Sequence, residues 1–246
     1  VIKSDHVEAH NNLGNAFKEL GQLDAAVKSF EKTLAIKPDY AEVHNNLGFT
    51  LQQLGQLDEA VKCYEKAIVI KPDYAEAHNN LGNALNDLGQ LDEAVKCFKQ
   101  ALAINPDYAD AHYNLGNTLT NLDQLDAALV SFERALILNP ELSFLLGQSL
   151  HSKMTLCIWD DLPNNLNELT KKINNNEKVI TPFALLALID NPEIQRKTAE
   201  IFANEKYPQS HVLSKIERYP KHKKIRIGYF SADFHNHATM HLMAEL

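Results

Sequence analysis

This 246-residue chain has few cysteines and no long apolar run. Its three cysteines are an odd number, which excludes a fully paired disulfide framework. Cys63 and Cys97 lie 34 residues apart at equivalent sites, so we interpret them as packing residues. A membrane span needs about 18 consecutive apolar residues, which the chain lacks, and no signal peptide is visible. These absences favour a reducing, cytoplasmic setting.

The chain also lacks an excess of positive charge. Its 24 Lys and Arg residues are outnumbered by 32 Asp and Glu residues, for a formal net charge of −8. This balance argues against a nucleic-acid-binding surface spread over the chain. Hydrophobic residues make up 45% of the sequence, which is enough for a continuous core and argues against global disorder.

What the chain has is a repeat with a strict period of 34 residues, marked by proline. A Leu-Gly pair, a small residue and an aromatic residue recur in step with each of these prolines. A fixed period of this length is typical of stacked helical hairpins, in which each hairpin buries its apolar face against its neighbours. The prolines are Pro38, Pro72, Pro106 and Pro140.

These residues resemble the tetratricopeptide repeat, and four units match it without an insertion. The resemblance implies a mainly α-helical protein in which the repeats form a right-handed superhelix. We interpret residues 1–6 as the tail of an earlier repeat, and the chain as a piece of a longer protein cut at both ends. The first predicted domain is residues 1–142, with repeat units at 7–40, 41–74, 75–108 and 109–142.

The second unit shows the hairpin that the pattern predicts. Helical spacing of apolar and small residues predicts a first helix over about 41–54 and a second over about 58–70. Asp39 and Glu42 are spaced like a capping box at the start of the first helix.

Glycine has two predicted roles in the hairpin. Gly55 is placed for a left-handed turn between the two helices, and Asp123 replaces this glycine in the fourth unit. Gly48, inside the first helix, lowers helix propensity but lets the second helix approach closely.

Asparagine recurs at one register of the predicted first helices, although it is a poor helix former. An amide both donates to and accepts from a peptide backbone, which gives a sequence-tolerant grip on an extended segment. In this repeat family the first helices line the concave groove, so we expect extended polypeptide segments to bind there. The alternative is that asparagine is common at this position in such repeats generally. The asparagine ladder is Asn12, Asn46, Asn80 and Asn114, and Asn15, Asn83 and Asn117 lie three residues further on.

Histidine occupies the fourth position of every unit. Successive histidines would be separated by a whole helical hairpin, about 10 Å or more, which is too far for shared metal coordination. We therefore interpret them as packing residues and predict no metal site. They are His10, His44, His78 and His112.

The repeat pattern ends near residue 142, and residues 143–220 have the pattern of a helical linker. Its polar loop through Pro208 and Pro220 predicts a domain boundary. The sequence predicts helices over about 142–157, from Pro163 to about Ile173 and over about 192–206, with a turn at 174–176 and a short buried apolar segment at 182–188.

The pattern changes again at residue 221. Residues 225–230 are the first convincing β-strand, a polar loop follows through His237, and a helix begins at about residue 239. A strand, a loop and a helix in this order predict the opening of an α/β domain with a parallel sheet. In such sheets a ligand lies beyond the C-terminal ends of the strands.

The whole chain resembles the O-linked N-acetylglucosamine transferase family in its bacterial, SPINDLY-like form. The resemblance implies that residues 221–246 are the truncated start of a GT-B-type glycosyltransferase domain. The implied reaction transfers a sugar from a nucleotide sugar, UDP-N-acetylglucosamine, to Ser or Thr of proteins without a metal. The motifs that carry the resemblance are Lys153-Met154…Cys157…Trp159-Asp160, Pro182-Phe183…Leu186-Ala187 and Arg226-Ile227-Gly228-Tyr229…Ser231…Asp233-Phe234…His237…Leu242.

The resemblance implies that His237 is the candidate catalytic residue, as a base or as a polar contact near the transferred sugar. Histidine suits either role because its unperturbed pKa is near neutrality. Ser231, Asp233 and His241 are candidate supporting residues. A loop histidine satisfied by local hydrogen bonds is the alternative for His237. A zinc site with His235 and His241 has tolerable spacing, but the family gives it no support.

The repeat pattern and the family resemblance together imply three candidate functions. The leading prediction is a fragment of a protein O-glycosyltransferase that binds no cofactor and is inactive by itself, because the nucleotide site lies downstream. The alternative is a protein–protein interaction scaffold without catalysis. A third is an O-fucosyltransferase relative with another donor. The predicted partners are acceptor proteins, with no nucleic acid and no membrane, and relatives suggest a homodimer.

Overall fold

A computed structural model describes residues 6–206, and all regular secondary structure in this range is α-helical. None of these helices is long and apolar enough to cross a membrane. The helices are α1 (Val7–Glu19), α2 (Leu23–Ile36), α3 (Ala41–Gln53), α4 (Leu57–Ile70), α5 (Ala75–Asp87), α6 (Leu91–Ile104), α7 (Ala109–Asn121), α8 (Leu125–Leu138), α9 (Leu145–Thr155), α10 (Leu162–Asn174), α11 (Pro182–Leu186) and α12 (Pro192–Lys206).

The first eight helices form four hairpins that stack in chain order. Each hairpin falls inside one predicted repeat unit, and α3 and α4 begin within one residue of their predicted starts. The second helix of each hairpin packs on the first helix of the next, so one core runs through the stack. This arrangement confirms the predicted tetratricopeptide superhelix. The predicted strand at 225–230 lies outside the described residues and stays a prediction.

In each hairpin, a glycine of the first helix faces an aromatic ring of the second helix. A Cβ on Gly48 would lie 2.8 Å from Cε1 of Tyr64, and a Cβ on Gly82 would lie 2.6 Å from Cε1 of Phe98. The two rings are 0% and 1% exposed, so they cannot move aside. The structure confirms the prediction that glycine permits close approach of the helices. The other two pairs are Gly14 with Phe30 and Gly116 with Phe132.

The turn inside each hairpin uses the left-handed backbone conformation. Gly21, Gly55 and Gly89 have φ angles of 70°, 76° and 76°, and Asp123 has a φ angle of 58°. Glycine adopts this conformation without a steric penalty because it has no Cβ, and Asp tolerates it better than most residues. The predictions for Gly55 and Asp123 are therefore confirmed.

The start of α3 differs from the prediction. Tyr40 is the N-cap residue and no side chain caps the helix, so Asp39 and Glu42 do not form a capping box. The helix begins one residue later than that motif requires. Glu42 instead lies in the first turn, where a carboxylate favours the positive end of the helix dipole. It also pairs with Lys71 at 3.8 Å.

Helices α9 to α12 build a second core beside the repeats. Leu145, at the start of α9, belongs to the repeat core, whereas Leu150 belongs to the second core. Gly147 lets α9 contact Ile180, and its N–H donates to the carbonyl of Val179 at 2.7 Å. The helix pattern predicted for this region is present, and α12 has the predicted bounds.

The apolar segment predicted at 182–188 is less buried than expected. Ala184 and Leu185 are buried, but Phe183 and Leu186 are 82% and 59% exposed. The prediction of a buried segment was therefore only half right. The reason is that α11 is a short helix packed on one side, so only part of its surface faces the core.

Candidate functional site

The first helices of the hairpins form the inner surface of the stack. Helix α1 contacts α3, α3 contacts α5 and α5 contacts α7, whereas no comparable contact joins successive second helices in residues 6–206. In a curved stack of two layers, the layer whose members lie closer together is on the inside. The groove is therefore defined as the surface formed by α1, α3, α5 and α7.

The asparagine ladder connects neighbouring first helices. Asn80 Nδ2 donates to Asn45 Oδ1 at 3.0 Å, across the junction between the second and third repeats. Asn12, in the first repeat, is exposed. An amide group has two N–H donors and an oxygen with two lone pairs, so each half-buried ladder residue keeps capacity for a ligand. The equivalent bond at the next junction runs from Asn114 Nδ2 to Asn79 Oδ1 (3.0 Å). The first junction differs, because Asn46 Nδ2 donates to Asn15 Oδ1 at 3.4 Å.

The second row of asparagines differs from the ladder. Asn15 accepts a bond from the ladder. Asn83 and Asn117 are half-buried, and within the described part of the chain their side chains make no hydrogen bond. Phe49, which interrupts this row, is 40% exposed. The amides of Asn83 and Asn117 are thus available to a bound segment.

Two buried asparagines in the groove were missed by the sequence analysis. Asn45 and Asn79 are 1% and 4% exposed, and each accepts a ladder bond. Asn45 Nδ2 also donates to Glu76 Oε1 at 3.1 Å. The sequence feature that could have identified them is the Asn-Asn pair, which recurs in three units. In the fourth unit, Tyr113 replaces the first asparagine of the pair. These buried amides hold the second, third and fourth repeats in register.

A second polar chain crosses the junction between the second and third repeats. Tyr64 donates its hydroxyl proton to Gln52 Oε1 at 3.0 Å, and Gln52 Nε2 donates to Asp87 Oδ2 at 2.8 Å. Burial raises the pKa of Tyr64, and the negative charges of Glu76 and Asp87 add to this effect. The phenol therefore stays protonated and keeps its role as a donor.

Positive charge is scarce on the groove helices. Helices α3, α5 and α7 contain no Lys or Arg, and α1 contains only Lys18. The ammonium of Lys18 lies 5.5 Å from the centroid of the Phe49 ring. Carboxylates are present on all four helices, for example Glu42, Glu76 and Asp110. The groove helices thus carry many amides and a net negative charge. The lysines of the repeats lie mainly on the second helices.

The acidic side chains perturb two tyrosines that precede the groove helices. Burial is the main cause that raises the pKa of Tyr74 to about 12, followed by the charges of Glu76 and Glu42. Burial also raises the pKa of Tyr108 to about 12, followed by the charges of Glu76 and Asp110. Both phenols are therefore neutral at physiological pH.

The repeat histidines connect the groove helices to the loops ahead of them. His44 Nε2 donates to the carbonyl of Pro38 at 2.8 Å. His78 and His112 make the same bond at 3.0 Å to Pro72 and Pro106. This bond ties each loop to the helix that follows it. Within the described residues, no group of three His, Cys, Asp or Glu side chains is arranged to hold a metal.

The candidate catalytic residues of the sequence analysis lie outside the described residues. These are His237 and its candidate supporting residues Ser231, Asp233 and His241, so their roles stay predictions. The structure brings together only the groove residues of the predicted site.

Family profiles match the repeat region. Profiles described as TPR repeat match residues 14–55, 53–88 and 82–123, and one described as tetratricopeptide repeat matches 109–142. Together these matches run from residue 14 to residue 142, which is more than half of the 246 residues. The chain therefore belongs to the tetratricopeptide-repeat proteins.

Solved structures of other repeat proteins are similar to this chain. MamA has a TM-score of 0.60 at 23% identity, over 66% of this chain and 95% of MamA. PilF of Pseudomonas aeruginosa has a TM-score of 0.66 at 20% identity, over 83% of this chain and 93% of PilF. YrrB, described as a TPR protein with an unusual peptide-binding site, has a TM-score of 0.56 at 16% identity, over 80% and 94%. These likenesses show the shared fold, and no curated protein sequence matches the chain.

Proposed function

We propose that the groove binds an extended polypeptide segment of a partner protein. Tetratricopeptide repeats suggest protein–protein interaction, and the row of half-buried asparagine amides along the groove carries the finer proposal. Asn83 and Asn117 support it most directly, because their amides have no partner within the described residues. An amide pairs with both the N–H and the C=O of a peptide backbone.

The spacing of the repeats fits this kind of ligand. Packed helices lie about 8–10 Å apart, and an extended chain rises about 3.3 Å per residue. Each repeat therefore corresponds to about three residues of a bound segment. Because the ladder would contact backbone groups, we expect weak dependence on the sequence of the bound segment along most of the groove.

The experiment compares groove asparagines with an asparagine elsewhere. Peptides are first selected from a displayed library of random 12-residue peptides, and binding is then measured by fluorescence anisotropy. The variant Asn83→Ala/Asn117→Ala should bind about 5- to 150-fold more weakly, since two hydrogen bonds of about 0.5–1.5 kcal/mol each are lost. Its stability should not fall below that of the wild type, because these amides make no bond within the described residues and alanine is the better helix former.

The matched control is Asn167→Ala. Asn167 is exposed on α10 and makes no side-chain hydrogen bond within residues 6–206. The control therefore removes the same kind of free amide, but at a site outside the groove. This variant should bind like the wild type. Equal binding by the control and by the groove variant would show that the groove amides do not hold the peptide.

We also propose, from the sequence pattern at 226–242, that the chain is the acceptor-binding and linker part of a protein O-glycosyltransferase. In the parent protein, the groove would guide the acceptor towards His237, and UDP-N-acetylglucosamine would be the donor. The donor of an O-fucosyltransferase relative is the alternative. The domain boundary at 220/221, a cytoplasmic setting and a homodimer are parts of this proposal. The half-buried free thiols of Cys63 and Cys97 are compatible with a reducing compartment.

Sugar transfer tests this second proposal separately from peptide binding. The 246-residue chain should transfer no sugar, whereas its native parent should modify Ser or Thr of a protein acceptor. The variant His237→Ala of the parent should lose this activity. If the parent transfers no sugar from either donor while the groove still binds peptides, the chain is an interaction scaffold.

A further inference from the structure

The chain holds one of its own lysines against a tyrosine and a carboxylate at a repeat junction. Lys71 Nζ lies 4.7 Å from the centroid of the Tyr74 ring and 3.8 Å from Glu42 Oε1. At the preceding junction, Lys37 Nζ lies 4.4 Å from the centroid of the Tyr40 ring. The fold therefore places an ammonium group over a tyrosine ring at two successive junctions.

The next junction keeps the ring and the carboxylate but has an asparagine in place of the lysine. Tyr108 occupies the place of Tyr74, and Glu76 occupies the place of Glu42, each one 34-residue period later. Asn105 replaces the lysine, and its Oδ1 accepts the N–H of Asp107 at 3.2 Å in a local turn. Within residues 6–206, no Lys or Arg lies over the Tyr108 ring or pairs with Glu76.

The surroundings of this junction favour a positive charge. Glu76 Oε1 accepts a bond from buried Asn45 at 3.1 Å, which holds the carboxylate in place beside the asparagine ladder. By the 34-residue repeat, Glu76 and Tyr108 are placed as Glu42 and Tyr74 are around Lys71, and Asp110 follows Tyr108 by two residues. The negative charges of Glu76 and Asp110 also raise the pKa of Tyr108, after burial. A half-buried aromatic ring flanked by carboxylates attracts an organic cation through the ring quadrupole and through charge.

We propose that Tyr108 and Glu76, with Asp110, form a subsite for a Lys or Arg side chain of the polypeptide bound in the groove. This inference rests on the proposed peptide-binding function. The intrachain Lys71 shows the geometry that the partner's cation would adopt. The fourth unit cannot repeat the subsite, because Leu142 stands where the ring would be. A basic residue is therefore required at one place along the bound segment.

The sharpest test introduces a lysine into the chain by substitution, so that its side chain occupies the subsite. Asn105→Lys restores the residue found at the two preceding junctions and should occupy the subsite. Asn139→Lys is the matched control: it adds the same charge at the equivalent position, and Asn139 Oδ1 likewise accepts the N–H of Glu141 at 3.2 Å. At that junction Leu142 stands in place of the tyrosine. A conservative variant, Glu76→Gln, keeps the oxygen that accepts from Asn45 and removes the charge.

Selection from the displayed library of random 12-residue peptides is carried out with each variant. Peptides selected by the wild type and by Asn139→Lys should be enriched in Lys or Arg at one position. Those selected by Asn105→Lys or Glu76→Gln should lack this enrichment. For one selected peptide, replacing the basic residue by norleucine should weaken binding to the wild type by about 3- to 30-fold, measured by fluorescence anisotropy.

The outcomes separate this inference from the proposed function. Peptides that bind through Asn83 and Asn117 but show no basic preference would overturn the subsite and leave peptide binding intact. A basic preference that Asn139→Lys abolishes as fully as Asn105→Lys would also overturn it, since general charge would then be the cause. The absence of any selected peptide would overturn both the function and the subsite.

Discussion

Replacing Gly82 by alanine should reveal how closely the hairpin helices approach. The added Cβ would lie 2.6 Å from Cε1 and 2.8 Å from Cζ of Phe98. Ordinary carbon–carbon contacts are about 3.5–4.0 Å, so α5 and α6 would have to separate by about 1 Å. Phe98 is 1% exposed, so the side chains packed around it restrict how far the ring can turn.

Two opposing effects set the size of the loss. Alanine is favoured over glycine inside a helix by about 1 kcal/mol, whereas overpacking a tight core costs about 1–3 kcal/mol. Because the clash involves three ring atoms of a fully buried side chain, we expect the upper part of this range. The net decrease in the free energy of unfolding is then about 2 kcal/mol. In a repeat array this loss weakens both neighbouring interfaces.

Urea unfolding followed by far-UV circular dichroism measures this loss through the transition midpoint. The double variant Gly82→Ala/Phe98→Leu is the control, because a smaller side chain gives room for the added methyl group. It should lose at least about 1 kcal/mol less than the sum of the two single variants. A single variant as stable as the wild type would show that glycine does not set the helix spacing.

Three further predictions use the same unfolding assay or a chemical one. Asp123→Gly should raise the free energy of unfolding by about 0.5–1 kcal/mol, because Asp123 has a φ angle of 58°; no gain would contradict backbone strain there. Asn80→Ala should lower it by about 1–3 kcal/mol, since buried Asn45 loses its donor; a neutral effect would mean that the junction network is not needed. Burial raises the pKa of the Cys97 thiol from 9.0 to about 11, so iodoacetamide at pH 8 should modify the exposed Cys157 first. Peptide mass spectrometry should show Cys97 reacting only at higher pH or after unfolding, and equal rates at pH 8 would contradict the burial argument.

The helical array could be predicted from the sequence because its signals are local and repeated. Gly55 and Gly48 have predicted roles that the structure confirms, since each depends on a short stretch of backbone or on one facing ring. Helix α12 also has its predicted bounds, because Pro192 sets where it begins. The capping box at Asp39 was wrong because such motifs depend on a one-residue difference in where a helix starts.

The groove itself was only partly predictable. Periodicity placed the asparagine ladder in one register, but the partners of its amides lie on another helix 31 to 35 residues away. Buried Asn45 was missed for this reason. The exposed Phe183 was misjudged because its burial depends on which side of α11 faces the second core.

The sequence by itself determined the 34-residue period, the helical hairpins and the positions of the groove asparagines, because each follows from a pattern along the chain. Only the tertiary structure decided which amides are committed to repeat junctions and which are available to a partner. It also decided that Lys71 lies against Tyr74 and Glu42, whereas no lysine within residues 6–206 lies over the Tyr108 ring. The physical reason is that these properties depend on distances between helices of different repeats, and stacking alone sets those distances.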